Sequence, residues 1–111
     1  MPGQNSRVLL ADDDPTTRVL SESYLNATGF EVRVAVDGQA ALEAYRDDRP
    51  DLVVLDVEMP RMNGFLACRA MRSLDPQALI LIVMLTGLED TASVHEAFEA
   101  GATDFICKPV H

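Results

Sequence analysis

The 111-residue sequence has no tryptophan, two cysteines, two histidines and, among nine basic residues, a single lysine at position 108. Cys68 and Cys107 make no redox or zinc spacing, which excludes a disulfide framework or a zinc module, and both read as packed, reduced thiols. His95 and His111 are too few for a histidine-based metal site, and His95 reads as a helix surface or packing residue rather than a phosphate carrier. With a formal net charge of −9, direct contact with nucleic acid or an anionic membrane surface is disfavoured, because both would repel the chain. Residues 1–6 lack the apolar core and basic run of a signal peptide or membrane span and read as a flexible tail, which predicts a cytoplasmic protein. Repeats, linkers and low-complexity stretches are also missing. Length and a 48% hydrophobic content then predict one compact domain over residues 1–111, with no room for a second.

What is present is organised around the stretch from Asp51 to Pro60. Its apolar run reads as a strand buried on both faces inside a parallel sheet, with Asp56 at the carboxyl end. A carboxylate leaving so apolar a strand is costly to bury unpaired, so it should face a mouth at the sheet edge, where open α/β sheets bind ligands.

The rest of the chain alternates in kind. Arg7 to Ala11 is a short apolar strand, and Asp14 before Pro15 caps a helix that carries Leu20, Tyr24 and Leu25 on one face and stops at Thr28-Gly29. Glu31 to Val36 alternates strictly, as an edge strand does. Asp37-Gly38 turns into a second helix ending before Pro50, and a loop rich in breakers leads from Met59 to a third helix from about Gly64 to Leu74. Ala78 to Leu85 reads as a second fully buried strand delivering Thr86-Gly87. A fourth helix from about Asp90 to Ala100 should bury Val94, Ala97 and Phe98 and stop at Gly101, before a last strand, Asp104 to Cys107, that ends in Lys108-Pro109. Strands alternating with helices of this length predict right-handed βαβ units and a parallel sheet.

Four of the five strands thus end in chemistry: Asp12-Asp13, Asp56, Thr86 and Lys108. In a parallel sheet all carboxyl ends lie on one edge, so these residues meet in one cleft. Three carboxylates so close repel one another and call for a cation or a proton; a hard divalent ion, magnesium or manganese, suits all-oxygen ligation. Carboxylates also serve as nucleophiles in aspartyl-phosphate formation, a role that Asp56 fits. Lys108 offers a compact charge for phosphoryl oxygens, and Thr86 a hydroxyl donor.

Together, Asp12-Asp13, Asp56 followed by Met59-Pro60 and Asn63-Gly64, Thr86-Gly87 and Lys108-Pro109 resemble the receiver domain of two-component response regulators, over residues 7 to about 110. The resemblance implies a flavodoxin-like, doubly wound sheet of order 2-1-3-4-5. It implies phosphorylation of Asp56 by a sensor histidine kinase or phosphotransfer protein, with magnesium on Asp12, Asp13, Asp56 and the Glu58 main-chain carbonyl. It further implies a switch in which Thr86 moves toward the phosphoryl group and Phe105 turns inward, altering the surface that an output domain or protein reads; ordinary core packing is an equal alternative for Phe105.

Two other functions compete with this phosphoacceptor switch, which is not itself an enzyme. A metal-dependent phosphohydrolase would use Glu58, two residues after the nucleophile, as its acid, but the loops are short and no cap segment is evident. A degenerate receiver acting only by contact is disfavoured by the full set of site residues. One element is also missing: receivers carry a fifth helix, and nothing after Val110 can build it. The chain therefore reads as truncated after its fifth strand, with an apolar face left to the next segment of a longer protein or to a second copy as a homodimer.

Overall fold

In the computed structural model, which describes residues 6–77, 80–87 and 91–107 apart from the side chains of Thr86, Thr91 and Cys107, strands and helices alternate along the chain. They are β1 (Arg7–Ala11), α1 (Pro15–Ala27), β2 (Glu31–Ala35), α2 (Gly38–Asp47), β3 (Leu52–Asp56), α3 (Gly64–Leu74), β4 (Leu81–Thr86), α4 (Thr91–Glu99) and β5 (Asp104–Cys107). The strands form one parallel sheet in the order β2-β1-β3-β4-β5, which makes the strictly alternating β2 an edge strand, as expected. The expected order 2-1-3-4-5 is met, with four helices among the described residues.

Local signals explain where the helices begin and end. Asp14 Oδ2 accepts from the Thr17 amide at 2.9 Å, Asp37 Oδ1 from Ala40 at 2.7 Å and Asn63 Oδ1 from Leu66 at 2.9 Å. Each side chain satisfies an amide that the first helical turn leaves without a partner. Gly29 (φ 99°) and Gly101 (φ 105°) follow α1 and α4 in the left-handed region that glycine adopts without a Cβ penalty.

The two faces of the sheet are covered unequally. Leu9, Ala11, Val53, Leu55, Ile82 and Met84 point to one face and are buried with Ala41, Tyr45, Phe65, Cys68, Met71 and Ala97 of α2, α3 and α4. Polar staples close this layer at its margin. Tyr45 Oη donates to Asp75 Oδ2 at 2.6 Å, Arg49 Nε reaches the same oxygen at 2.5 Å, and Arg72 donates to the carbonyls of Gly101 and Ile80, each at 2.8 Å. Cys68 is a packed thiol, as expected: its Sγ donates to the Ala100 carbonyl at 3.4 Å, and burial pushes its pKa up to about 11.

Among the described residues the opposite face has only α1, none of whose residues is buried; Leu20 is 66% and Tyr24 69% exposed. Between α1 and the sheet lies an open groove of about 440 Å³ whose lining includes Leu20, Tyr24, Val54, Val83, Leu85 and Ile106. This corrects the expectation that the central strands are buried on both sides. In β3 and β4, residues facing α2 and α3 are buried, whereas Val54, Val83 and Leu85 are half-buried and Leu81 is exposed. Alternate side chains point to opposite faces, and one face is incompletely covered.

One boundary and the burial of two residues also differ. The fourth strand begins at Leu81 rather than Ala78, because its neighbour β3 begins at Leu52, the register partner of Leu81. Ala78 itself lies outside the described residues. Phe98 is 49% exposed instead of buried, and Val94 is half-buried; among the described side chains of α4, Ala97 reaches the core.

Candidate functional site

Strand register builds the site. Ala11 pairs with Leu55, so the next residues, Asp12 and Asp56, leave neighbouring strands side by side, and Asp13 follows on the turn into α1. Carboxylate oxygens of Asp12, Asp13 and Asp56 lie within 4.8 Å of one another. Asp12 and Asp56 are buried and Asp13 is exposed, so the cluster opens to solvent on one side.

Backbone contacts fix these acids. The Asp14 amide donates to Asp12 Oδ1 at 3.0 Å, the Glu58 amide to Asp56 Oδ1 at 3.3 Å, and Arg18 Nη1 to the Asp12 carbonyl at 2.9 Å. A Cβ at Gly64 would stand 2.3 Å from the Asp56 carbonyl oxygen, so only glycine lets α3 begin this close beneath the acid. Like charges at such separation repel by a few kcal/mol per pair in a partly buried setting, at about the effective dielectric of protein sites. Hard oxygen donors with an open side fit a magnesium ion, which keeps several waters and takes few protein carboxylates.

The structure brings Asp12, Asp13 and Asp56 together as predicted. Glu58 follows two residues later with an exposed side chain. Thr86 closes β4 on the same edge: its predecessor Leu85 is the register partner of Asp56, and Thr86 itself pairs with Cys107. The Thr86 hydroxyl and the whole of Lys108 lie outside the described residues. Phe105 pairs with Met84 and packs half-buried against the core, and His95 is an exposed helix residue 3.5 Å from Glu99. Sequence reasoning took Asp37 for a turn residue and missed its second role. Its carboxylate, 3% exposed, is held below the usual range first by the Ala40 amide and then by Arg61, which contacts Asp37 Oδ2 through Nε at 2.8 Å and Nη2 at 2.6 Å.

Comparison with known proteins agrees with this geometry. The family model for the response regulator receiver domain matches residues 8–111. The DNA-binding response regulator MtrA of Mycolicibacterium smegmatis is 41% identical over 109 residues, 98% of this chain and 46% of that protein. The chain thus spans about half the length of the curated relatives it matches. Among solved structures, the chemotaxis protein CheY4 of Vibrio cholerae superposes with a TM-score of 0.90 at 32% identity, covering 97% of this chain and 90% of that one. The CheX–CheY–BeF3–Mg2+ complex of Borrelia burgdorferi gives 0.89 at 28% identity, covering 99% of this chain and 83% of that one. Among the described residues no helix is long and apolar enough to cross a membrane. A parallel sheet of order 2-1-3-4-5, an acidic cluster at its carboxyl edge and these matches make the chain a member of the response regulator receiver domain family, a phospho-acceptor regulatory module of two-component signalling.

Proposed function

We propose that Asp56 accepts a phosphoryl group from a sensor histidine kinase or a phosphotransfer protein, and that the resulting charge alters the surface that an output domain or protein reads. The observation that carries this reading is the clustering of Asp12, Asp13 and Asp56 within 4.8 Å at the carboxyl edge of the sheet. An Asp56 carboxylate oxygen forms the bond to phosphorus while the bond to the donor's imidazole nitrogen breaks, the nitrogen keeping the electron pair. Asp12, Asp13, Asp56 and the Glu58 carbonyl would hold magnesium, or manganese in its place. When bound, the ion supplies charge neutralisation for the acids and for the incoming phosphoryl oxygens. Support for that ion comes from the donor set and from the Borrelia relative, solved with magnesium and beryllium fluoride.

Lys108 pairs with the phosphoryl oxygens and the Thr86 hydroxyl donates to them; Phe105 then turns inward beside β4. The chain acts in the cytoplasm and makes no direct contact with nucleic acid or membrane, in keeping with a net charge of −9. Acetyl phosphate with magnesium should add one phosphoryl group to the intact protein, seen by mass spectrometry, and Asp56→Asn should abolish it. Labelling that survives Asp56→Asn would refute the assignment of the nucleophile.

A further inference from the structure

Register pairing ends at Asp56; beyond it the Val57 amide still donates to the Leu85 carbonyl and the Glu58 amide to Asp56 Oδ1, each at 3.3 Å, and the rest of the loop that follows the Glu58 carbonyl is held by other contacts. Within the loop, the Gly64 amide donates to the Val57 carbonyl at 2.9 Å, joining its two ends, and the Met62 amide to the Pro60 carbonyl at 2.7 Å. The middle is fastened to α2. Arg61 grips Asp37, the buried cap of that helix, and Gly38 lies so close to Met62 that a Cβ there would stand 1.8 Å from the Met62 carbonyl oxygen. Arg61 itself has φ 66°, a left-handed conformation that a non-glycine residue keeps only where its surroundings over-determine it. The anchor is rigid, since α2 buries Ala41 and Tyr45 completely against the sheet.

We propose that Asp37, Gly38 and Arg61 form a latch that positions the loop carrying the Glu58 carbonyl, with Arg61 and Gly38 acting as positioning residues for metal binding. The proposal rests on the reading that this carbonyl is a magnesium ligand. It differs from a general stabilising role because the latch spans from a helix outside the acid cluster to the loop that carries the Glu58 carbonyl. Gly38 gives an independent handle: alanine there improves helix propensity, so a loss of metal affinity would come from the collision with Met62.

Magnesium titration by calorimetry on the 111-residue protein, with acetyl phosphate labelling at several magnesium concentrations, tests this. Arg61→Gln and Gly38→Ala should each raise the magnesium Kd about tenfold, the scale of lost support around a metal ligand, while labelling at saturating magnesium keeps its wild-type rate. Arg61→Lys should recover much of the affinity. Arg33→Gln, which breaks an exposed pair with Asp47, should leave it unchanged. Unchanged magnesium affinity in folded Arg61→Gln or in folded Gly38→Ala would overturn the latch; should one variant fail to fold, the other decides. Labelling of Asp56→Asn would instead overturn the phosphoacceptor assignment, with the latch still judged by magnesium affinity.

Discussion

Asp12, Asp13 and Asp14 stand together in sequence but do different work. Asp12 is buried at the strand end, Asp13 is exposed beside Asp56, and Asp14 caps α1 by accepting from both the amide and the hydroxyl of Thr17. Asp13→Ala is therefore expected to weaken magnesium binding, whereas Asp14→Ala should cost about 1 kcal/mol of stability through the lost cap and leave the metal in place. A magnesium titration and a thermal melt on each variant separate the two, and equal loss of metal affinity would show the register of the triplet to be wrong. These roles were legible because Pro15 fixes the cap and an apolar run fixes the strand end. The Asp37–Arg61 pair was not: its partners lie 24 residues apart and carry no local pattern.

Among the elements, α2 and α3 are joined where they end. Tyr45, from α2, donates to Asp75, which caps the end of α3, and Arg49 binds the same carboxylate with its guanidinium 4.5 Å from the Tyr45 ring centre. Arg49, then Tyr45, holds Asp75 below its ordinary 3.8, so its contribution is complete above that value and lost as pH falls through the lower folded value. Burial, then Asp75, pushes Tyr45 from 10.0 up to about 12, so its contribution is complete below 10 and lost as pH rises through about 12. Urea midpoints should fall at both extremes; Tyr45→Phe should remove the alkaline loss arising at this site, and Asp75→Asn should reduce the acid one. A Tyr45→Phe profile that overlays the wild type at alkaline pH would argue against the junction. Helix boundaries were legible to within a residue or so because caps and stops are local. The start of β4 was not, since it depends on where its neighbour begins, and Phe98 was misjudged because periodicity says which face a residue takes, not how much lies above it.

For the whole molecule, the strand order followed from the family resemblance, and the uncovered face from counting helices against sheet faces. The groove over Val54, Val83 and Leu85, with Leu20 and Tyr24 exposed at its rim, is apolar surface of the kind that drives association. The 111-residue chain is expected to self-associate with rising concentration in sedimentation experiments and to bind a hydrophobic dye. Leu20→Ser with Tyr24→Ser should reduce both. A monomer at all concentrations that binds no dye would show that α1 closes over the sheet in solution.

In the proposed function the acid cluster lets Asp56 carry a phosphoryl group. Borohydride reduction of the protein after treatment with acetyl phosphate and magnesium, followed by peptide mass spectrometry, locates that group, because an acyl phosphate on aspartate is reduced to homoserine at the residue that carried it. Homoserine is expected at position 56, dependent on magnesium. Its absence there in protein that has taken up phosphate, or its appearance at another acid instead, would rule out Asp56 as the acceptor.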